Sequence, residues 1–151
     1  MTTKRERILQ RLLAILEGLD PAPVLVDRNR LAPVAEGETP AVILFDGGES
    51  YEGRTPLGRS PVAVTATPVV RWVAADHGEA GAVIGGRLSS ILGQIQRAIV
   101  SDGALADLLG DGGLVGANLE DDLTPAGGTA IGHFALHLQL KCFIDFKNPE
   151  V

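Results

Sequence analysis

AIGHFALHLQLKCFIDF, residues 130–146, is the most regularly alternating stretch of the chain. Every second position, counted from the first, holds a small or apolar side chain: Ala130, Gly132, Phe134, Leu136, Leu138, Leu140, Cys142, Ile144 and Phe146. The positions between them are more polar and include histidine, glutamine, lysine and aspartate. Because successive side chains of a strand point to opposite faces, this alternation predicts a strand with one buried and one solvated face.

The length of this stretch leads to a second prediction. Residues 130–146 would span roughly 56 Å at about 3.3 Å per residue. A globular domain of 151 residues has a diameter of only about 40 Å. The strand must therefore bend, curl with its sheet or run beyond the domain, and an apolar strand that leaves its domain needs a partner. We therefore expect the protein to form oligomers.

Two amphipathic helices and one short helix are predicted upstream of this strand. Residues 3–19 combine an apolar face at helical spacing with a capping-box pair, Thr3 and Glu6. Residues 83–100 show the same apolar spacing. Asp102 stands where it would cap a short helix over residues 104–109.

Short apolar runs predict four further strands, at residues 24–26, 41–45, 62–73 and 114–119. Pro68 interrupts the third run and cannot donate to a ladder, so this strand should lie at a sheet edge or bulge there. The elements predict a single α+β domain over residues 1–151. We expect a largely antiparallel, twisted sheet of four to five strands, with two main helices and a long C-terminal strand.

Two connections are rich in Gly, Pro and charged residues. Residues 46–61 show no periodicity and predict a mobile loop. Glu120, Asp121 and Asp122 should end the strand at 114–119, and residues 125–128 should form a flexible turn.

The titratable side chains form no recognisable catalytic or metal-binding constellation. His133 and His137 would share one face of a strand but stand about 13 Å apart, too far for one metal ion. Cys142 falls in the apolar register, where a thiol usually serves as a small core residue. The acidic clusters lack the spacing of a calcium-binding loop. We therefore predict no catalytic residue, no metal ligand and no cofactor.

Charge and composition restrict the partners. The chain has 19 acidic and 13 basic side chains, a net charge of −6, which disfavours a tight grip on nucleic acid. The same sign would suit a surface past which DNA moves without sticking. The single cysteine excludes an intramolecular disulfide. No apolar run approaches the roughly 20 residues of a membrane-spanning helix, and the N-terminal stretch lacks the features of a secretory signal.

The order of the segments resembles that of a known family. A basic amphipathic helix is followed by a strand running into VDRNR (26–30), a polar stretch closing on ETP (38–40) and an apolar strand into DG (46–47). A long strand, a second helix, the turn SDGAL (101–105) and the alternating C-terminal strand complete the order. Over nearly its whole length the chain resembles the tail terminator proteins of long-tailed bacteriophages, also called tail completion or minor tail protein U-like proteins.

The resemblance implies a mixed sheet with two main helices packed on one face. It also implies a structural protein of the virion that is assembled in the host cytoplasm and acts without catalysis. It would form a homo-oligomeric ring, a hexamer in this family, which caps the tail tube at its final length and joins it to the head. The implied partners are copies of itself, the tail tube protein and a head–tail connector or neck protein, with no membrane. DNA would pass through the lumen without specific binding. The contact residues suggested by position are Asp46, Glu49, Glu52, Arg54, Arg59, His133, His137 and Lys141.

Two alternatives stay open from the sequence. A head–tail joining protein of the same virion would share the size and the absence of catalytic motifs. A small enzyme or ligand-binding α+β domain would instead carry a deep pocket containing titratable residues with perturbed pKa values.

Overall fold

A computed structural model of the protein describes residues 2–51, 61–76, 81–126 and 129–150. The helices in these ranges are α1 (Lys4–Glu17), α2 (Gly81–Val100) and α3 (Gly103–Leu109). The strands are β1 (Leu25–Arg28), β2 (Ala41–Tyr51), β3 (Val62–Asp76), β4 (Gly113–Ala126) and β5 (Thr129–Ile144). A 3₁₀ turn, Glu36–Glu38, lies between β1 and β2.

The five strands form one mixed sheet in the order β1-β2-β3-β5-β4. β1 runs parallel to β2, and each of the other neighbouring pairs is antiparallel. The prediction of an α+β fold with a largely antiparallel sheet is therefore confirmed.

The helices cover one face of the sheet and complete its core. Alternate side chains of β5 from Phe134 to Ile144 are buried, as the pattern predicts. They share one core cluster with Leu12 and Leu16 of α1 and with Ile95 of α2. Burying one such side chain stabilises the fold by about 1.5–3 kcal/mol. Helices of the same chain thus cover the apolar face of β5, so the length of this strand no longer argues for oligomers.

Both helix starts that the sequence marks are capped as predicted. Thr3 Oγ1 accepts a hydrogen bond from the Glu6 backbone amide at 3.2 Å, at the start of α1. An Asp102 carboxylate oxygen accepts one from the Leu105 amide at 2.7 Å, at the start of α3. Each cap satisfies a backbone donor that the helix itself cannot pair.

The prediction of an edge position for the strand that contains Pro68 is wrong. β3 is central, paired with β2 on one side and β5 on the other. The predicted bulge is present, but it lies in β2, where the register shifts between Phe45 and Gly48. Pro68 stands opposite this bulge and has no register partner in β2 or β5. Proline has no backbone N–H to donate, but the hydrogen bonds between the strands are already interrupted at this position. A proline can therefore lie inside the sheet here.

Two stretches predicted to be irregular are strands. β2 continues through residues 46–51, so the predicted loop at 46–61 begins later than expected, and residues 52–60 lie outside the described ranges. β4 continues through the acidic triplet to Ala126, pairing with β5 as far as Ala126 and Thr129. In both cases a long neighbouring strand supplies hydrogen-bonding partners for the backbone, and the local sequence gives no sign of this pairing.

Candidate assembly surface

The outer edge of the sheet at β4 carries exposed apolar side chains. The strand order ends at β4, so one side of this strand has no neighbouring strand among the described residues. Leu114, Val115 and Leu119 are 39%, 54% and 42% exposed. We call these three residues of the edge strand the β4 edge. Such an edge offers backbone hydrogen-bonding groups and apolar surface to another chain.

The sheet face opposite the helices carries three of the predicted contact residues. His133, His137 and Lys141 lie along β5 on this face. The core residues of β5 occupy the other set of alternating positions, so their side chains point to the helix side. His137 stands opposite Asn118, and its Nε2 is 3.6 Å from an oxygen of Glu120, a diagonal neighbour on β4. The prediction that one face of the C-terminal strand is polar is confirmed.

Asp46 lies at the bulge of β2 and is held within its own chain. The Arg28 guanidinium donates to both Asp46 oxygens at 2.7 and 2.9 Å. The same guanidinium donates to both Glu6 oxygens at 2.7 and 2.9 Å. One arginine thus joins α1, β1 and β2 through two bidentate ion pairs, the strongest ion-pair geometry available to these side chains.

This cluster changes the acidity of both carboxyl groups. The hydrogen bonds from Arg28 hold the pKa of Glu6 and that of Asp46 below their ordinary values, although desolvation acts in the opposite direction. The pKa of Arg28 is raised by the hydrogen bonds to Glu6 and Asp46. The cluster therefore favours the charged forms of all three residues.

Glu49 reaches the helix side of the sheet because of the bulge. The extra residue in β2 moves Glu49 opposite Ala66, a buried residue of the core face. There the Glu49 carboxylate lies 2.9 Å from Arg5 Nε. Asp46 and Glu49 are thus both engaged with α1 or β1, away from the face that carries His133 and His137. Three other predicted contact residues, Glu52, Arg54 and Arg59, lie outside the described residues.

Basic side chains at the start of α1 hold the C-terminal segment. Lys4 Nζ donates to the Phe143 carbonyl at 2.9 Å, and the Lys4 backbone amide donates to the Pro149 carbonyl at 2.9 Å. The Arg7 guanidinium donates to the backbone oxygen of Glu150. These cations therefore tie down the segment that follows β5.

Arg11, the remaining basic residue of α1, joins this helix to α3. Arg11 Nε donates to an Asp102 carboxylate oxygen at 2.9 Å. The hydrogen bond from Arg11 lowers the pKa of Asp102, and the backbone amide that this residue caps lowers it further. The basic side chains of α1 thus contact the chain's own backbone and carboxylates.

Cys142 is buried in the core, as its register predicts. Burial raises the pKa of its thiol, so the reactive thiolate is disfavoured. Within the described residues, no three His, Cys, Asp or Glu side chains are grouped so that they could hold a metal ion. None of the helices described here has the length and apolar character to cross a membrane.

The β4 edge is the part of this surface that sequence reasoning missed. Leu114 and Leu119 point to the core side of the sheet, opposite Leu140 and Leu136 of β5. The sequence predicts a strand at residues 114–119 but does not indicate its place in the sheet. Only the strand order shows that β4 lies at the edge, where these side chains stay exposed.

The Arg28 cluster gives a pH-dependent prediction. Arg28→Met keeps the aliphatic stem but leaves Glu6 and Asp46 without their shared cation, so it should destabilise the fold by about 2 kcal/mol at pH 7. Both carboxyl groups have lowered pKa values in the folded protein. Their stabilising contribution is therefore complete above the unfolded pKa of about 4 and is lost as the pH falls through the folded values. Urea unfolding at pH 7 and pH 3 should show the difference between wild type and variant shrinking at pH 3.

Arg71→Met is the matched control, because Arg71 is exposed on the sheet face opposite the helices. It should change the free energy of unfolding by no more than about 0.5 kcal/mol at either pH. An Arg28→Met variant as stable as this control at pH 7 would refute the role given to the cluster.

No protein-family model matches the chain, and no curated protein matches it at a significant level.

Proposed function

We propose that this protein is a structural assembly protein of a long-tailed phage, which forms a ring that caps the tail tube and joins it to the head. The β4 edge carries this proposal, because it is an apolar, unpaired strand edge on an otherwise well-packed domain. The order of segments that resembles tail terminator proteins supports the same function. The chain would act through shape and surface contacts, and its copies would supply the ring.

The β4 edge has the character of a contact made with another protein. Natural proteins usually protect edge strands with charge, with prolines or with covering segments, because an open edge pairs with other chains. β4 has such protection in Glu120, Asp121, Asp122 and Pro125 and in the register shift between Leu114 and Gly116, but Val115 at that shift is still more than half exposed. In the particle, the β4 edge would face the component next to the ring, either the tail tube or the neck.

The net charge of −6 agrees with a ring around a DNA path. A negative surface repels phosphate and gives no stable contact, so DNA would slide rather than bind. The basic face of α1 does not oppose this argument, because its cations make contacts within the chain.

The decisive experiment is a measurement of the assembly state. Purified protein should show closed rings in negative-stain electron microscopy, with a mass by light scattering of a whole multiple of the 15.8 kDa chain, expected to be six. Labelled protein on virions should locate at the head-proximal end of the tail. A monomer at every accessible concentration, or a label elsewhere in the particle, would refute the proposal.

The β4 edge gives a separate prediction. Without its natural neighbour, this edge should cause rings to associate further as the concentration rises. The double variant Val115→Lys, Leu119→Lys should keep its secondary structure and abolish this association, because lysines on an edge strand prevent strand pairing. Sedimentation velocity over a concentration series measures the change.

Val24→Lys is the matched control for this variant. Val24 is exposed just before β1, at the side of the sheet opposite to β4. It should associate as the wild type does. Equal association of the double variant and the wild type would show that the β4 edge is not a contact surface.

A further inference from the structure

A cleft of about 380 Å³ opens between the start of β2, β3 and α2, beside the end of α1. Most of its wall is apolar and is formed by residues such as Leu19, Pro21, Pro40, Leu88 and Ile91. Its volume falls within the roughly 300–1,000 Å³ that is usual for small-molecule pockets. A cleft of this size and character suits a compact, mainly apolar molecule.

Trp72 brings a hydrogen-bond donor without an acceptor to this cleft. Its side chain lines the cleft, although the residue is only 3% exposed. The indole N–H has no hydrogen-bond acceptor among the described residues, and solvent hardly reaches the nitrogen. Buried indole N–H groups usually have a partner, because a buried donor left unpaired is destabilising. The surroundings of this group therefore favour a molecule that carries an acceptor to it.

The neighbouring strands do not supply that acceptor. Trp72 stands opposite Val42 on β2 and opposite Phe134 on β5. Neither of these side chains has an atom that accepts a hydrogen bond. The cleft is an open space that the Trp72 side chain borders. A molecule bound in the cleft is thus a direct way to pair the indole N–H.

Gln94 adds a second polar group, on the α2 side of the cleft. Its side chain is half-buried and lines the cleft, and its amide makes no hydrogen bond within the described part of the chain. This amide can donate to a ligand or accept from it. Arg87 also lines the cleft but already has a contact within the chain, so the site does not depend on a free cation. Apolar walls with a few polar groups are typical of sites that orient a neutral ligand.

We propose that the cleft binds a small, neutral, mainly apolar molecule with a carbonyl oxygen that accepts a hydrogen bond from the Trp72 indole N–H. The apolar body of this molecule packs against the prolines and the α2 side chains of the wall. Because the indole nitrogen is shielded from water, its hydrogen bond is stronger than the same bond in solvent. The site goes beyond the proposed assembly function and does not rest on it, since none of the β4 edge residues lines the cleft.

The hydrogen bond is tested by comparing cyclooctanone with methylenecyclooctane, in which a methylene group replaces the carbonyl oxygen. The two molecules have nearly the same shape, so a difference in affinity reports on the oxygen. Cyclooctanone should bind about three- to tenfold more tightly, the usual effect of one hydrogen bond. Trp72 is the single tryptophan of the chain, so its indole N–H gives one signal in a ¹⁵N NMR spectrum. This signal should move downfield with cyclooctanone and should not do so with methylenecyclooctane.

Three variants locate the site, with calorimetry as the measure of affinity. Trp72→Phe removes the donor and keeps an aromatic ring, so it should bind the two molecules equally well. Ala22→Phe places a ring in the cleft, which Ala22 lines, and should bind neither molecule. Ala32→Phe is the matched control, because Ala32 is exposed and is not a lining residue. It should bind both molecules as the wild type does, and circular dichroism should show that each variant is folded.

The wild-type protein alone decides the proposal if a variant does not fold. Equal affinity for the two molecules, or a Trp72 signal that stays in place while cyclooctanone is bound, would overturn it. Absence of binding at millimolar concentration, or unchanged binding by a folded Ala22→Phe variant, would overturn it as well. None of these results bears on the ring, which is decided separately by the assembly state of the purified protein.

Discussion

Gly47→Ala should destabilise the protein by about 3–5 kcal/mol, because the bulge of β2 leaves no room for a side chain. Gly47 has a φ of +65°, a backbone conformation that L side chains rarely adopt. A Cβ added there would lie 1.8 Å from the Thr67 carbonyl oxygen. Either the pairing of β2 with β3 must open or both backbones must shift. Urea unfolding, followed by circular dichroism, measures the loss.

The same substitution should also weaken the contacts that depend on the bulge. The extra residue at Gly47 aligns Glu49 with the core face and its partner Arg5. Gly37→Ala is the matched control, because a Cβ at Gly37 would meet nothing within 4 Å. It should leave stability within about 1 kcal/mol of the wild type. A Gly47→Ala protein as stable as this control would show that the bulge does not need glycine.

Phe134→Ala should cost about 3–5 kcal/mol, the usual effect of deleting a buried aromatic ring. Phe134 is 2% exposed and lies opposite Trp72 of β3, in the middle of the sheet. Domains of this size are stable by only about 5–15 kcal/mol, so this loss would be a large fraction of the total stability. Unfolding in urea can be followed through the fluorescence of Trp72, which is itself buried.

Phe146→Ala is the matched control, because it removes an aromatic ring of the same size that is not buried in the core. Phe146 is 42% exposed and packs against Tyr51, with ring centroids 5.6 Å apart. Its loss should cost about 1 kcal/mol, the usual value of one aromatic pair. If the two variants were equally stable, the assignment of Phe134 to the centre of the core would be wrong.

Features that depend on neighbouring residues were predictable from the sequence alone. The alternation of 130–146 predicts a strand with one buried face, and β5 has that face in the core. Thr3 and Asp102 predict two helix starts, and both side chains cap them. These predictions hold because the alternation of side chains along a strand and the capping of a helix each depend on residues only a few positions apart.

The contacts around the candidate assembly surface join residues that are far apart in the chain, so they could not be predicted from local sequence patterns. Arg28 meets Glu6 and Asp46 only when α1, β1 and β2 come together. Glu49 was predicted to lie in a loop, but the bulge at Gly47 makes it part of a strand facing α1. No local pattern shows how a strand 18 or more residues away will pair.

The amino-acid sequence by itself determined which segments are helices, where two of them begin and which face of the C-terminal strand is apolar. Only the tertiary structure decided the strand order, which puts Pro68 inside the sheet and the β4 edge at its margin. It also decided that helices of the same chain cover the apolar face, and it left Leu31 exposed. The physical reason is that local periodicity and capping act over a few residues, whereas edges and clefts arise from pairing between distant segments.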